Sequence, residues 1–264
     1  MCRLFGQLAD PRFDVSLPLC GAENALRTQS HQHPHGWGIA WYEGRVPVVR
    51  RGVMAAHADE SFVRTARRAR SHLVLAHVRD ASVGRVAIEN THPFVAGHWV
   101  FAHNGTVARF KRSRSVREAL ERAIAPRLRA RLRGETDSER CFLLFLTRLA
   151  VHTRSRAPGL EAVRDALADV VAAVRELADR GTAHSTMNFL VSDGRLLAAC
   201  RHLKPLHVAP NERGGHLFAV ASEPIGRVGW EEVPEDYFVG VDSRLRVVRC
   251  PLFDGRAPAQ PAPR

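Results

Sequence analysis

Apolar residues recur at helical spacing most clearly between Leu160 and Asp179, where Val163, Leu167, Val170, Val171, Val174 and Leu177 fall on one stripe. The spacing predicts a helix there, the longest of the chain. Phe142, Phe145, Leu146 and Leu149 predict a second helix over Asp137–His152. Ser115–Arg131 is amphipathic and rich in arginine, with Pro126 placed to break it. Glu60–Arg70 reads as a further helix. Short apolar runs bounded by turn residues predict strands. Before the helices these are Cys2–Ala9, Gly36–Tyr42, Val46–Arg50 beyond a Glu43-Gly44 turn, His72–Val78 with Arg79 at its end, and His98–Ala102 running into His103-Asn104-Gly105. After them come Met187–Val191, Leu196–Cys200, Leu217–Ala221, Tyr237–Val241 and Leu245–Val248. Strands, then helices, then strands predict an α+β layered fold rather than βαβ alternation. No repeat and no linker divides the chain. The proline- and alanine-rich tail, Ala257–Arg264, is expected to be disordered.

Composition narrows the class. With 264 residues, 45% hydrophobic and 25% charged, the chain has the make-up of a globular protein with a core of normal size. No apolar run is long enough for a membrane span, and Gln7, Asp10 and Asp14 interrupt the N-terminal stretch where a secretory signal would need continuity. Leu17-Pro18-Leu19-Cys20 lacks the flanks of a lipidation site, so Cys20 reads as structural. Five cysteines (2, 20, 141, 200 and 250) without a CxxC argue against a disulfide framework and a thiolate zinc site, and point to a reducing cytoplasm. The formal net charge is +12, yet 37 of the 39 basic residues are arginine, a skew that fits genomic base composition better than a nucleic-acid surface.

The candidate chemistry starts at the second residue. If the initiator methionine is trimmed, Cys2 carries a thiol and a free α-amine on one residue, a nucleophile with its own base. An α-amine with a pKa of ~7.7–8.0 is partly unprotonated at neutral pH and can take the thiol proton. Plainer readings stand beside this one. Cys2 could be a buried strand residue. Arg79 and Asp137 could be surface charges, and Asp137 could be the N-cap of its helix, with Ser138-Glu139 in the first turn. Asn104-Gly105 could be a hairpin turn. His31, His33 and His35 form a His-x-His-x-His pattern, but Pro34 and the lack of a carboxylate partner weaken a metal reading.

Four elements nevertheless occur in one order: Cys2; Ala76-His77-Val78-Arg79 with Ser82 shortly after; His103-Asn104-Gly105; and Gly134-Glu135-Thr136-Asp137-Ser138-Glu139. Together they resemble the glutaminase domain of class II, N-terminal nucleophile glutamine amidotransferases. The strings His35-Gly36-Trp37-Gly38, Glu89-Asn90-Thr91-His92-Pro93-Phe94 and Ala221-Ser222-Glu223-Pro224 bring the chain closest to small stand-alone bacterial members. The resemblance implies an αββα four-layer sandwich, formed by residues 2–256 as a single domain. It implies that the Cys2 thiol attacks a γ-carboxamide and forms a γ-glutamyl thioester, with Asn104 and the Gly105 N–H donating to the oxyanion. It implies Arg79 for the α-carboxylate of glutamine, Asp137 for the α-ammonium and Ser82 near the carboxylate. It implies no cofactor and no metal. His35 departs from the family, whose members commonly carry aspartate there, which bears on substrate preference and pH profile. His77 and His103 read as packing or supporting residues.

Three functions follow from the resemblance. The protein supplies ammonia from glutamine to a synthase partner. Alternatively it is a stand-alone hydrolase of another γ-glutamyl amide, as in ergothioneine biosynthesis. A third reading is a non-catalytic glutamine-binding protein, which retention of Met1 would favour.

Overall fold

The computed structural model describes residues 2–155, 157–209, 217–227 and 229–253. The expected tail, the end of the expected 2–256 domain and Met1 lie outside them. The strands are β1 (Arg3–Phe13), β2 (Trp37–Glu43), β3 (Val46–Gly52), β4 (Ser71–Val78), β5 (Phe94–Ala96), β6 (Trp99–Thr106), β7 (Thr186–Ser192), β8 (Leu197–Cys200), β9 (His207–Ala209), β10 (Leu217–Ala221), β11 (Glu231–Glu232), β12 (Tyr237–Val241) and β13 (Val247–Pro251). The helices are α1 (Leu26–Gln29), α2 (Glu60–Arg68), α3 (Arg114–Ala123), α4 (Pro126–Arg129), α5 (Asp137–His152) and α6 (Leu160–Ala178). One sheet runs β11-β9-β10-β1-β4-β2-β3 and the other β13-β12-β8-β7-β6-β5.

Side-chain alternation along these strands creates three apolar layers. Leu4 and Leu8 of β1 and Leu73 and Leu75 of β4 meet Val100 and Ala102 of β6, Leu190 of β7 and Leu197 of β8 in a core between the sheets. The opposite faces of β1, β2 and β4 turn Phe5, Trp37, Ile39, Val74 and Ala76 to Leu26 of α1 and Phe62 of α2. Phe101 of β6 and Phe189 of β7 pack on Phe142 and Phe145 of α5 and on the predicted stripe of α6. Helices, sheet, sheet and helices therefore stack in the expected αββα order. Among the described residues no helix is long and apolar enough to cross a membrane.

Two predicted elements are corrected. The helical segment read over Ser115–Arg131 is broken at Pro126 as expected, but Pro126 does not end the helix before it, which stops at Ala123. Instead it opens α4 at the first turn, where its fixed φ fits. The last strand starts at Val247 rather than Leu245. Asp242 Oδ1 accepts from the N–H groups of Arg244 (2.9 Å) and Arg246 (3.1 Å), and Leu245 takes a φ of 59°, so this stretch is a turn.

Candidate active site

Alternation along β6 decides where its last residues point. His103 goes to the helix side, where its Nδ1 lies 2.9 Å from Ser138 Oγ of α5. Asn104 goes between the sheets, where its Nδ2 lies 3.1 Å from Ser222 Oγ. Ser222 follows β10 and is bound to β1 twice: its N–H donates to the Leu4 carbonyl and its hydroxyl accepts from the Leu4 N–H, both at 3.0 Å. Asn104 is thus tied across the sandwich to the strand that starts beside Cys2.

Asn104 and Gly105 lie within β6, opposite Asn188 and Met187 of β7. The turn reading of this dipeptide is overturned, because pairing with β7 runs unbroken through Thr106. A Cβ on Gly105 would stand 1.9 Å from the Thr186 carbonyl oxygen, so only glycine allows this approach.

Cys2 precedes β1, which begins at Arg3 rather than at the cysteine. The residue is half-buried, which corrects the reading of it as a fully buried strand position. Its Sγ accepts from the Asp80 N–H at 3.4 Å and lies 3.5 Å from the Asp80 carbonyl. The register pairs Arg3 with Val78, which brings Cys2 level with Arg79. Burial pushes the Cys2 thiol up, while the Asp80 backbone and the Arg79 charge pull it down.

Arg79 and Asp137 are not surface charges: their exposures are 2% and 3%. Arg79 donates from Nη1 to the Arg85 carbonyl (3.0 Å) and from Nη2 to those of Val83 (2.9 Å) and Gly84 (3.2 Å). Burial lowers its pKa, against the favourable charges of Cys2, Asp137 and Glu135. Asp137 Oδ2 accepts from the Val107 N–H at 2.7 Å and Oδ1 from the Ser138 N–H at 2.9 Å. The N-cap of α5 is Thr136, not Asp137. Thr136 has the extended backbone a cap needs, and its Oγ1 accepts from the Glu139 N–H at 3.2 Å. Asp137, already inside the helix, is left to reach Val107, just past β6. Ser82 Oγ lies 3.3 Å from Thr106 Oγ1, next to Gly105.

The histidines at 31, 33 and 35 diverge. His31 stacks on His57 with ring centroids 3.8 Å apart. His33 is buried, and burial and the Arg3 charge bring its pKa down to about 4. His35 Nδ1 accepts from the Ala81 N–H at 3.1 Å and lies 3.3 Å from Asp80 Oδ1. Among the described residues, His202, Glu235 and Asp236 do bring metal-ligand types of atom within 4.8 Å of one another. They already serve other ends: His202 Nδ1 pairs with Asp236 at 2.6 Å, and Glu235 accepts from the Leu203 N–H.

Three residues without an expected role support the constellation: Ser222, Asn90 and Glu135. Each stood inside a string that carries the resemblance. Ser222 meets Leu4 and Asn104, and Asn90 and Glu135 meet each other over 45 residues, relations for which a sequence holds no local signal.

Comparison with known proteins matches residues 1–213 to the family model of class-II glutamine amidotransferases. The gamma-glutamyl-hercynylcysteine sulfoxide hydrolase of Mycobacterium tuberculosis is 29% identical over 255 residues, covering 92% of this chain and 94% of that protein. A solved glutamine aminotransferase class-II domain protein from Silicibacter pomeroyi superposes with a TM-score of 0.70 at 25% identity, covering 98% of this chain and 100% of that one. Glutamine phosphoribosylpyrophosphate amidotransferase from Bacillus subtilis gives 0.65 at 16% identity, over 96% of this chain and 50% of that one, a likeness of fold alone.

Proposed function

The chain belongs to the class-II glutamine amidotransferases, and on that premise we propose that Cys2 hydrolyses the γ-carboxamide of glutamine to glutamate and ammonia. One observation carries the reading: the buried Arg79 guanidinium lies close enough to both Cys2 and Asp137 for their charges to favour its charged form, and Ser82, just after it, reaches Thr106 at the end of β6 where Asn104 and Gly105 lie. A nucleophile, a cation, an anion and amide donors are what hydrolysis of a zwitterionic amide requires.

Trimming of Met1 frees the Cys2 α-amine. The thiol is held above its ordinary pKa by burial, so little thiolate exists at neutral pH and a local base has to take the proton. The amine takes it as sulfur bonds to the γ-carbon, and the carbonyl electron pair moves onto oxygen. Asn104 Nδ2 and the Gly105 N–H donate to that oxyanion, each such donor being worth ~10²–10³ in kcat. The oxyanion collapses, the C–N bond breaks, and the ammonium of Cys2 gives its proton to the departing nitrogen. Water then adds to the γ-glutamyl thioester, losing its proton to the amine, and the thiolate leaves and is reprotonated. Arg79 has donors left over after its three carbonyls for the α-carboxylate, with Ser82 beside it. Asp137 has lone pairs left for the α-ammonium.

A second reading is favoured by the Mycobacterium tuberculosis hydrolase, which this chain covers over 94% of its length. In that reading the same residues hold the γ-glutamyl head of a larger amide and the protein acts alone. In the first, a separate synthase partner takes up the ammonia. Both take residues 2–256 as one domain in a reducing cytoplasm, in keeping with free thiols at all five cysteines.

Intact mass before and after 6-diazo-5-oxo-norleucine tests the reading. Loss of Met1 and a single adduct, absent in Cys2→Ala, is expected. Retained Met1 with no adduct overturns it and leaves a binding protein. Release of ammonia and glutamate from a panel of γ-glutamyl amides then separates the two substrates.

A further inference from the structure

Asn104 is 4% exposed, and the two ends of its amide are unequally provided for. Nδ2 lies 3.1 Å from Ser222 Oγ, whereas Oδ1 is buried without a hydrogen-bond partner. An orphaned acceptor in a dry interior is costly, and each one calls for a reason. The two ends of an asparagine amide have the same shape, so their assignment rests on the bonds they make. The partner here is a hydroxyl, which both donates and accepts. Its lone pair already takes the Leu4 N–H at 3.0 Å, so its own proton is the group to place. With the amide turned end for end, that proton goes to Asn104 Oδ1 over the same 3.1 Å and the orphaned oxygen disappears. The unpaired end then holds Nδ2, two N–H donors with no resident acceptor. A preorganised donor awaiting an oxyanion has that character.

We infer that Ser222 is a positioning residue for this reaction: its hydroxyl donates to Asn104 Oδ1 and turns Nδ2 toward the reacting carbonyl. The inference rests on the proposed hydrolysis at Cys2. Leu4 is two residues beyond Cys2, so one hydroxyl sets the oxyanion donor against the strand that carries the nucleophile. The neighbouring pairs tighten the arrangement. Ala221 is in register with Phe5, and Glu223 forms an ion pair with Arg3.

The test is steady-state kinetics of glutamine hydrolysis in Ser222→Ala, Asn104→Ala and the double variant. Ser222→Ala is expected to lower kcat roughly 10–100-fold with KM held within about 2-fold, less than the loss of the donor itself. Ser222→Thr, which keeps the hydroxyl, is expected to restore kcat to within about 3-fold. In the Asn104→Ala background the serine substitution is expected to add no further loss, because Ser222 acts only through that amide. Equal losses in both backgrounds, or no rescue by threonine, overturn the inference while leaving the hydrolysis intact. If the alanine variant does not fold, Ser222→Cys, similar in size with a weak donor, takes its place. A wild-type protein that releases no ammonia from any γ-glutamyl amide overturns the hydrolysis and this role together.

Discussion

Asn90 and Glu135 hold each other at both ends: Asn90 Oδ1 accepts from the Glu135 N–H at 2.7 Å, and Asn90 Nδ2 donates to the Glu135 carboxylate at 3.4 Å. Asn90 is fully buried and also donates to the Arg85 carbonyl, while the Arg85 N–H donates to Glu135. The loop that Arg79 caps is thereby joined to the segment that leads into Asp137. The two charges proposed to grip glutamine share one hydrogen-bonded frame. Asn90→Leu fills the space but leaves the Glu135 N–H without a partner and the Arg85 carbonyl with Arg79 as its one remaining donor among these contacts. A loss of about 1–3 kcal/mol in urea denaturation is expected. KM for glutamine should rise tenfold or more while kcat changes only a few-fold. A kcat loss at constant KM would show that the frame does not set the substrate grip.

Arg79 has two tasks, and a conservative replacement separates charge from shape. Arg79→Lys keeps the cation but offers a single ammonium where a planar fork reaches three carbonyls. At least one carbonyl is left without a donor, at about 1–3 kcal/mol. KM is expected to rise by roughly 100-fold, in line with the loss of a bidentate charged contact. Thermal unfolding and glutamine kinetics on the same sample check both parts. An unchanged KM would remove Arg79 from the proposed substrate site.

Gly105→Ala puts a methyl group 1.9 Å from the Thr186 carbonyl and 2.5 Å from His103 Nε2. The first contact is backbone and cannot swing aside. The expected cost is about 3 kcal/mol, the upper end for overpacking. In a chain of this size that lowers Tm by roughly 6–12 °C. A variant that melts with the wild type would mean that β6 and β7 part there freely, against the pairing that positions Asn104.

Much of this was legible in the sequence because it follows from periodicity or from residue type. The α6 stripe and the apolar run of β4 predicted the layers, and the motif residues singled out the six positions proposed above as the site. What escaped has a common cause. The break at Pro126 was legible, but that its fixed φ also starts a second helix was not, since a helix-breaking proline and a helix-opening one look alike in the sequence. Thr136 and Asp137 are both good caps, and the choice fell to the distant Val107 N–H that claims Asp137. β5, β9 and β11 are two or three residues long, too short to show a period. Ser222 serves Leu4 and Asn104 over separations of 218 and 118 residues, a relation made by the sandwich alone.

Acid should weaken this fold through its buried histidines. His77 and His92 are buried against each other with ring centroids 4.2 Å apart and planes tilted by 42°, and His92 has both ring nitrogens unpartnered. Burial holds His77 at about 3 and His33 at about 4, and keeps His92 well below the usual imidazole range. In the unfolded chain each titrates near ~6.5. The unfolded state therefore binds more protons below that value. Stability is full above about pH 6.5 and falls as the pH drops toward the folded pKa values, by up to ~1.4 kcal/mol per pH unit for each histidine. His92→Leu removes one titrating ring and breaks no hydrogen bond. Urea denaturation should find this variant within about 1 kcal/mol of the wild type at pH 7.5. At pH 5 its margin over the wild type should have grown by roughly 2 kcal/mol. Parallel pH profiles would mean that His92 is protonated in the native state, and that its buried site admits a charge.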